Sequence, residues 1–327
     1  MAGLAGRTGG VRPGGLPLDA LLRLRGVHRL RHRARRGLGD ASCGREPGHR
    51  SGSAAAGARA RAAAGDPPAG RCVVRVRLRW SKQGKIRFCG HRDAARIWER
   101  AVRRAGLPVA YSQGFSPRPR ISFGLALATG QESVAEYLDV DLRASGEELY
   151  DWAAGMPERL SAVLPDGMTV HDACPLRPGA VSLQEAVTSC TWEFALTKTD
   201  TALAAAWVEQ VRSADSLPLQ RERKGRTTTS DVRSAVGDLH ILDASDRSVL
   251  VAELGTKPRA VRPAEFLHLI APPLAAGCVR RLHQWITRDG ERYEPLAPEA
   301  GALAPGGDVL AAASIDAVPA AQQEVCA

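Results

Sequence analysis

The chain has 327 residues, with 45 Lys and Arg against 35 Asp and Glu, a formal net charge of +10. That length leaves room for two ordinary domains, while no apolar run is long enough to span a bilayer and no signal-peptide core is present, which excludes a helical membrane protein. The seven cysteines stand singly with no CxxC pair, which excludes a zinc cage or a cluster-binding triad and fits reduced thiols in a cytoplasmic protein.

Placement of charge says more than its total. The chain has no Asn and forty Arg against five Lys, the residue usage of a high-GC bacterial genome, so arginine content is partly codon bias. Residues 1–71 carry 14 Arg against 4 acids, which leaves 31 of each sign in the remainder. Within that remainder, 72–120 hold 13 cations and 2 acids, whereas 121–327 hold 18 and 29. A basic side and an acidic side are expected, the first suited to polyanions and the second to cationic partners.

Residues 1–71 are Arg, Ala and Gly with almost no aromatic or β-branched residues, a composition that buries too little to fold. A start assigned too far upstream accounts best for this segment; a basic RNA-binding tail and a targeting peptide are the alternatives. The first foldable half spans 72–178. CVVRVRLRW (72–80) alternates Val and Leu with Arg, as a half-buried strand does. DAARIWERAVRRAG (93–106) follows as a helix whose Ala94, Ile97, Trp98, Ala101 and Ala105 form one stripe, stopped by Gly106 and Pro108. PVAYS and RISFGLALA read as strands around a Gly/Pro loop, SVAEYLDVDL as a strand, SGEELYDWAAGMPERL as a helix capped by Ser145, and MTVHDACPL as a closing strand.

The order recurs over 189–294. SCTWEFAL is a strand and DTALAAAWVEQVRSA a helix capped by Asp200. PLQRER is a strand, SAVGDLHIL and SVLVAELG a hairpin, and RPAEFLHLIA a helix with Pro263 in its first turn. An Ala/Pro-rich tail, 295–327, is expected to be disordered. The element order gives an α+β fold of two tandem ferredoxin-like (split βαβ) plaits between disordered tails.

His91-Arg92-Asp93 matches the start of a protein-kinase catalytic loop, but the Asn required five residues later is Trp98, and no phosphate-binding Gly-rich loop precedes it. The arginines carry a different message. Arg92, Arg96, Arg100 and Arg103 share one stripe opposite the apolar face. Arg75, Arg77, Arg79, Lys82, Lys85 and Arg87 precede it, and Arg118 and Arg120 follow. A solvated helix face is the plain alternative, yet so many uncompensated cations would repel unless an anion, RNA foremost, sat among them. In YSQGFSPRPRISFG (111–124), Gly114 permits a positive-φ turn, and Pro117 and Pro119 hold Arg118 and Arg120 apart. Tyr111 and Phe115 are placed to stack on bases, Ser112 to meet a phosphate, and Phe123 to sit in the core. His91 is the candidate general acid or base. A second basic loop, RERKGRTTTSDVR, offers Arg223, Lys224 and Arg226, with Asp231 as an orienting residue.

The stretch GKIRFCGHRDAARIWERAVRRAGLPVAYSQGFSPRPRISFGLALATGQESVAEYLDVDL resembles the DUF2344 family, also called radical SAM-linked proteins. The family pattern K-x-G-x-x-R-F-x-x-H-x-D, R-A-x-R-R-A, Y-S-x-G-F-x-P-x-P and S-x-x-E falls on residues that include Lys85, Arg87, Phe88, His91, Asp93, Arg96, Arg100, Arg103, Tyr111, Ser112, Gly114, Phe115, Pro117, Pro119, Ser133 and Glu136. Gly90 stands where the family commonly has Ser. The resemblance covers about 72–260 and implies a separate radical SAM protein as partner, because this chain has no CxxxCxxC of its own. The combined expectation is a non-enzymatic accessory protein, without metal or cofactor, that holds RNA in a basic cleft, with Glu136 orienting an arginine. The alternatives are a metal-independent RNA-cleaving or RNA-modifying enzyme using His91, and a pure protein adaptor.

Overall fold

The computed structural model describes residues 72–303 except 145, 198, 245 and 246. The expectations for 1–71, for the Ser145 cap and for the tail beyond 303 lie outside the described residues. The strands are β1 Cys72–Lys82, β2 Ile121–Phe123, β3 Glu132–Ala144, β4 Met168–Pro175, β5 Ser189–Leu196, β6 Pro218–Arg223, β7 Arg226–Asp231, β8 Val236–Ala244, β9 Arg247–Gly255, β10 Ala276–Arg288 and β11 Glu291–Tyr293. The helices are α1 His91–Arg104, α2 Gly146–Ser161, α3 Leu183–Ala186, α4 Thr201–Ser213 and α5 Pro263–Phe266. The fold is mixed α+β, built on one large, mostly antiparallel sheet.

Nine strands make that sheet, in the order β4-β1-β3-β10-β5-β9-β8, with β2 on the edge of β3 and β11 on β10. Read by halves, the order is β4-β1-β3-β2 and then β10-β5-β9-β8, every neighbouring pair antiparallel. The halves meet through two parallel pairs, Arg280 with Glu132 and Arg281 with Ser133. Only β6 and β7 stand apart, as a two-stranded sheet.

In β1 the period-two pattern sends Val76, Leu78 and Trp80 into a core with Trp98, Ala101 and Val102 of α1 and Leu149, Met156 and Leu160 of α2. The second half repeats this with Phe194 of β5, Trp207 of α4 and Phe266 of α5, whose rings meet at 5.3–5.4 Å. Asp200 caps α4 by accepting a hydrogen bond from the Leu203 N–H at 2.6 Å, which satisfies an otherwise orphaned donor of the first turn.

The arginine face of β1 departs from expectation. A half-buried strand would leave Arg75, Arg77 and Arg79 in water, but Arg77 is completely buried. Asp139 and Asp141 of β3 stand opposite Arg77 and Arg75 in the register, so the charges pair across the strands. Arg77 meets Asp139 at 2.8 and 3.0 Å, and Arg75 meets Asp141 at 3.3 Å. Arg79 reaches Glu294 at 3.0 Å. The segment after β11 covers this face. Leu303 N–H donates to Pro175 O and Arg177 N–H to Gly301 O, so the ordered chain runs eight residues past the boundary expected at Pro295.

Other elements differ in extent. PVAYS makes only isolated bridges, Val109 to Leu142 and Tyr111 to Pro119, because a proline-bounded segment offers few ladder donors. RISFGLALA is regular only over β2. The helix expected from Arg262 is the four-residue α5. The basic loop after PLQRER is a hairpin, β6–β7, turned by Lys224 and Gly225 at φ 54° and 72°. Strand β10, unassigned from sequence, closes the second half and joins it to the first. No helix among the described residues is long and apolar enough to cross a membrane.

Candidate nucleic-acid interface and adjoining cleft

Helix α1 starts after Gly90, which brings no side-chain cap. Its outer face presents Arg92, Arg96, Arg100, Arg103 and Arg104, all exposed. Arg96 pairs with Asp93 at 3.3 Å and Arg103 with Glu99 at 3.7 Å; such solvated pairs exchange readily for a phosphate. Lys85, Arg92, Arg100, Arg104 and Arg118 have no carboxylate partner among the described residues. The cation count therefore overstated the free charge. Arg75, Arg77 and Arg79 are spent across the sheet, Arg87 is held by Glu132 at 3.2 Å, and Arg120 by Asp141 at 2.9 Å.

The 111–120 loop is a small closed hairpin. Ser112 N–H donates to Arg118 O at 2.9 Å, and Arg118 N–H returns a bond to Ser112 Oγ at 3.1 Å. Gly114 turns the tip with φ 129°, a value that excludes most side chains. Pro119 is buried and anchors the base, while residues 111–118 lie in solvent. Phe115 is fully exposed. Of the Phe, Tyr and Trp side chains among the described residues, only Phe88, Tyr111 and Phe115 are exposed, and the Arg87 guanidinium lies over the Phe88 ring at 4.8 Å.

Beside this surface, Trp80, Lys82, His91, Phe123, Leu125 and Glu136 border a partly open cleft of about 20 Å³, room for about one water. Its position follows from the sheet. The outer edge of β3 pairs with β10 at 132–133 and with β2 at 138–140, and the cleft opens where these partners diverge. The bulge of β1 between Trp80 and Lys82 places Lys82, which is buried, with Nζ donating to Cys89 O at 2.6 Å. Burial pushes the Lys82 ammonium below its ordinary pKa, against the raising pull of Cys89 and Glu136. Glu136 is buried and receives both Arg281 bonds, at 2.6 and 3.1 Å, on Oε1. The His91 ring packs edge-on to Phe123 at 5.3 Å, so Phe123 lines the site while also packing on the core.

A second charged cluster pins the two halves. Glu132 accepts from Gly84 N–H at 2.9 Å, Arg87 at 3.2 Å and Arg280 at 2.8 and 3.1 Å, and Arg280 also reaches Glu193 at 3.2 Å. Burial works against the Glu132 charge, but the bonds from Arg280 and Gly84 outweigh it and hold the carboxyl below its usual range. Glu136 does hold an arginine, and it is Arg281 of the second half.

The β6–β7 hairpin presents Arg223, Lys224 and Arg226 in solvent and is tied to 259–265 through Arg221 with Glu265 and Arg259 with Ser230. Asp231 accepts from Leu217 and Arg233 N–H groups at 2.8 and 2.9 Å. These bonds keep its carboxyl low and make it a fastener of the hairpin base. Sequence reasoning did not single out Trp80, Lys82 as a cleft residue, Glu132, Arg280 or Arg281. The one signal available was the adjacent Arg280-Arg281 pair between Val279 and Leu282.

Comparison with known proteins gives a family and similar solved structures. The family model DUF2344, described as an uncharacterized protein conserved in bacteria, matches residues 75–263. No curated protein matches. Among solved structures, a chain from the crystal structure of a Cbf5-Nop10-Gar1 complex is similar at a TM-score of 0.33 and 10% identity, over 64% of this chain and 48% of that one. The present chain thus spans about half the length of that one.

Proposed function

The chain belongs to the DUF2344 family, and we propose that it is an RNA-binding accessory protein that holds RNA on α1 and the 111–120 loop and presents it to a partner enzyme. One observation carries this: the only exposed Phe, Tyr and Trp side chains among the described residues, Phe88, Tyr111 and Phe115, lie against the half-buried Arg87 guanidinium in the first case and in the loop of the exposed Arg118 in the other two. Cations that track a backbone and rings that stack on bases are the two requirements of sequence-tolerant RNA binding. Arg92, Arg96, Arg100, Arg103 and Arg118 contact phosphates, Phe115 stacks, and Arg223, Lys224 and Arg226 extend the basic surface. Arg120 and Arg87 orient the loop and Phe88. The strand order within each half is that of a split βαβ plait, which supports reading the fold as tandem ferredoxin-like units.

The partner is a separate radical SAM protein, met on the acidic remainder of the chain in the cytoplasm; that part rests on the family resemblance. The test is crosslinking and sequencing of RNA that co-purifies with the protein, beside an Arg96→Glu/Arg100→Glu control. Enrichment in the parent alone, with affinity falling steeply as salt rises, is the expected result. Equal recovery from both proteins removes the RNA reading and leaves a protein adaptor.

A second reading, RNA cleavage or modification by His91, draws on the place of that ring at the mouth of a cleft shared with Lys82 and Glu136. His91→Ala separates the two: an enzyme loses turnover at unchanged RNA affinity, while an accessory protein shows no turnover to lose.

A further inference from the structure

The cleft has a polar arrangement that the RNA surface does not explain. Lys82 has three N–H donors and spends one on Cys89 O. Glu136 takes both Arg281 bonds on Oε1, which leaves Oε2 to the cleft. Lys82 and Glu136 line the same space yet form no ion pair within 4.0 Å, so each keeps bonding capacity directed at whatever enters. The walls are Trp80, Ala94, Phe123 and Leu125, apolar and partly flat.

That combination selects an occupant. A phosphate meets the Glu136 carboxylate, a simple cation meets Lys82, and a purely apolar group leaves the spare Lys82 donors and the second Glu136 oxygen unserved. A planar ring carrying a carbonyl beside an N–H serves both at once: the carbonyl accepts from Lys82 and the N–H donates to Glu136. We propose that the cleft receives one extruded nucleobase of the bound RNA by such a keto–amide edge, the edge of uracil and of guanine, with its ring against Phe123 and His91. The cleft, of about 20 Å³ and open on one side, admits that edge of the ring, and the rest of the base lies over its mouth. An amine donates whether or not it is protonated, so the lowered Lys82 pKa does not impair this bond. The cleft lies at the start of the arginine-bearing helix, so a strand held on α1 passes its mouth. Flipping one base out of a single strand costs little.

This inference rests on the RNA reading, and the test separates the two. Fluorescence anisotropy of the full chain with 12-nucleotide oligomers of U, inosine, A and C at one salt concentration gives the base preference. Uracil and hypoxanthine present the keto–amide edge; adenine and cytosine do not. Binding of U and inosine about tenfold tighter than A and C is expected, because a site built to bond both groups rejects a base with the reversed pattern. Lys82→Met then brings the four within about threefold of one another. An independent readout on the unmodified protein is carbodiimide modification of the ring N–H in a mixed oligomer, where protection of one uridine or guanosine per bound strand is expected. Equal binding of all four oligomers that still depends on Arg96 and Arg100, or uniform carbodiimide reactivity, overturns the base pocket and leaves RNA binding intact. No binding of any oligomer overturns both.

Discussion

Arg77 separates charge counting from geometry. By sequence it belongs to the basic surface; in the structure it is buried against Asp139, with further bonds to Val181 O at 3.3 Å and Pro295 O at 3.4 Å. Replacing it by Met leaves Asp139, 3% exposed, without its counter-charge. Breaking one side of a buried pair costs about 3–5 kcal/mol. The double variant Arg77→Met/Asp139→Leu removes both charges together and loses only the two long carbonyl bonds, each worth about 0.5 kcal/mol at the low end of the usual range. With a urea dependence of about 3 kcal/mol per molar for a domain of this size, the single variant lowers the unfolding midpoint by about 1–1.7 M, while the double lowers it by less than about 0.5 M.

The assay is urea denaturation of the full chain followed by tryptophan fluorescence, with RNA affinity measured on the same preparations. Affinity per folded molecule stays within about twofold of the parent in both variants, because Arg77 contacts no solvent and hence no phosphate. If the single and double variants fall equally, the pair is not what Arg77 contributes. If the folded Arg77→Met protein loses RNA affinity tenfold, the burial argument fails and the simple count of cations was the better guide.

Two further expectations concern the parts that position the cleft. The folded-state pKa of Glu132 is lowered, so its stabilising contribution is fully present above the unfolded carboxyl value of about 4.3 and is lost as pH falls through the folded value; urea midpoints between pH 5 and pH 3 therefore drop less steeply in Glu132→Gln than in the parent, and parallel curves would refute this. Gly167, at φ 87°, has room for no Cβ, since one would stand 2.3 Å from Gln83 O, so Gly167→Ala combines left-handed strain with a backbone clash and lowers stability by about 2 kcal/mol or more; a midpoint within experimental error of the parent would show that the 83–86 segment yields freely.

How much was legible in the sequence depended on whether a signal was local. Helix α1 was readable because Ala94, Trp98 and Ala101 recur at helical spacing. The Asp200 cap was readable because a carboxylate before an apolar stripe satisfies donors two or three residues away. The pairing of β1 with β3 was half readable: V-R-V-R-L-R in one strand and D-V-D in the other share a period of two, but the register that sets Arg77 against Asp139 is a property of the folded sheet. Strand β10 was not readable. Irregularities near Cys278 and between Arg281 and His283 break its alternation, and Arg280 and Arg281 look like solvent-facing residues until Glu132 and Glu136, some 145 positions away, are brought to them.

Sequence distance likewise hides the cleft and leaves the arginine helix plain. An arginine stripe is written in one stretch of fourteen residues, α1. The cleft exists because one edge of β3 serves two partners, β2 from its own half and β10 from the other, with the chain at Gly124–Leu127 filling the space between them. Gly124 is admitted there because a Cβ would lie 3.0 Å from Tyr137 O and 3.2 Å from Leu183 Cδ1. Lys82 reaches the space through a bulge in the first half, and Glu136 is fixed by Arg281 from the second. Neither half alone sets this geometry, so loosening the Glu132–Arg280 contact should disturb base preference before it disturbs the phosphate contacts of α1, whose helix is packed entirely within the first half.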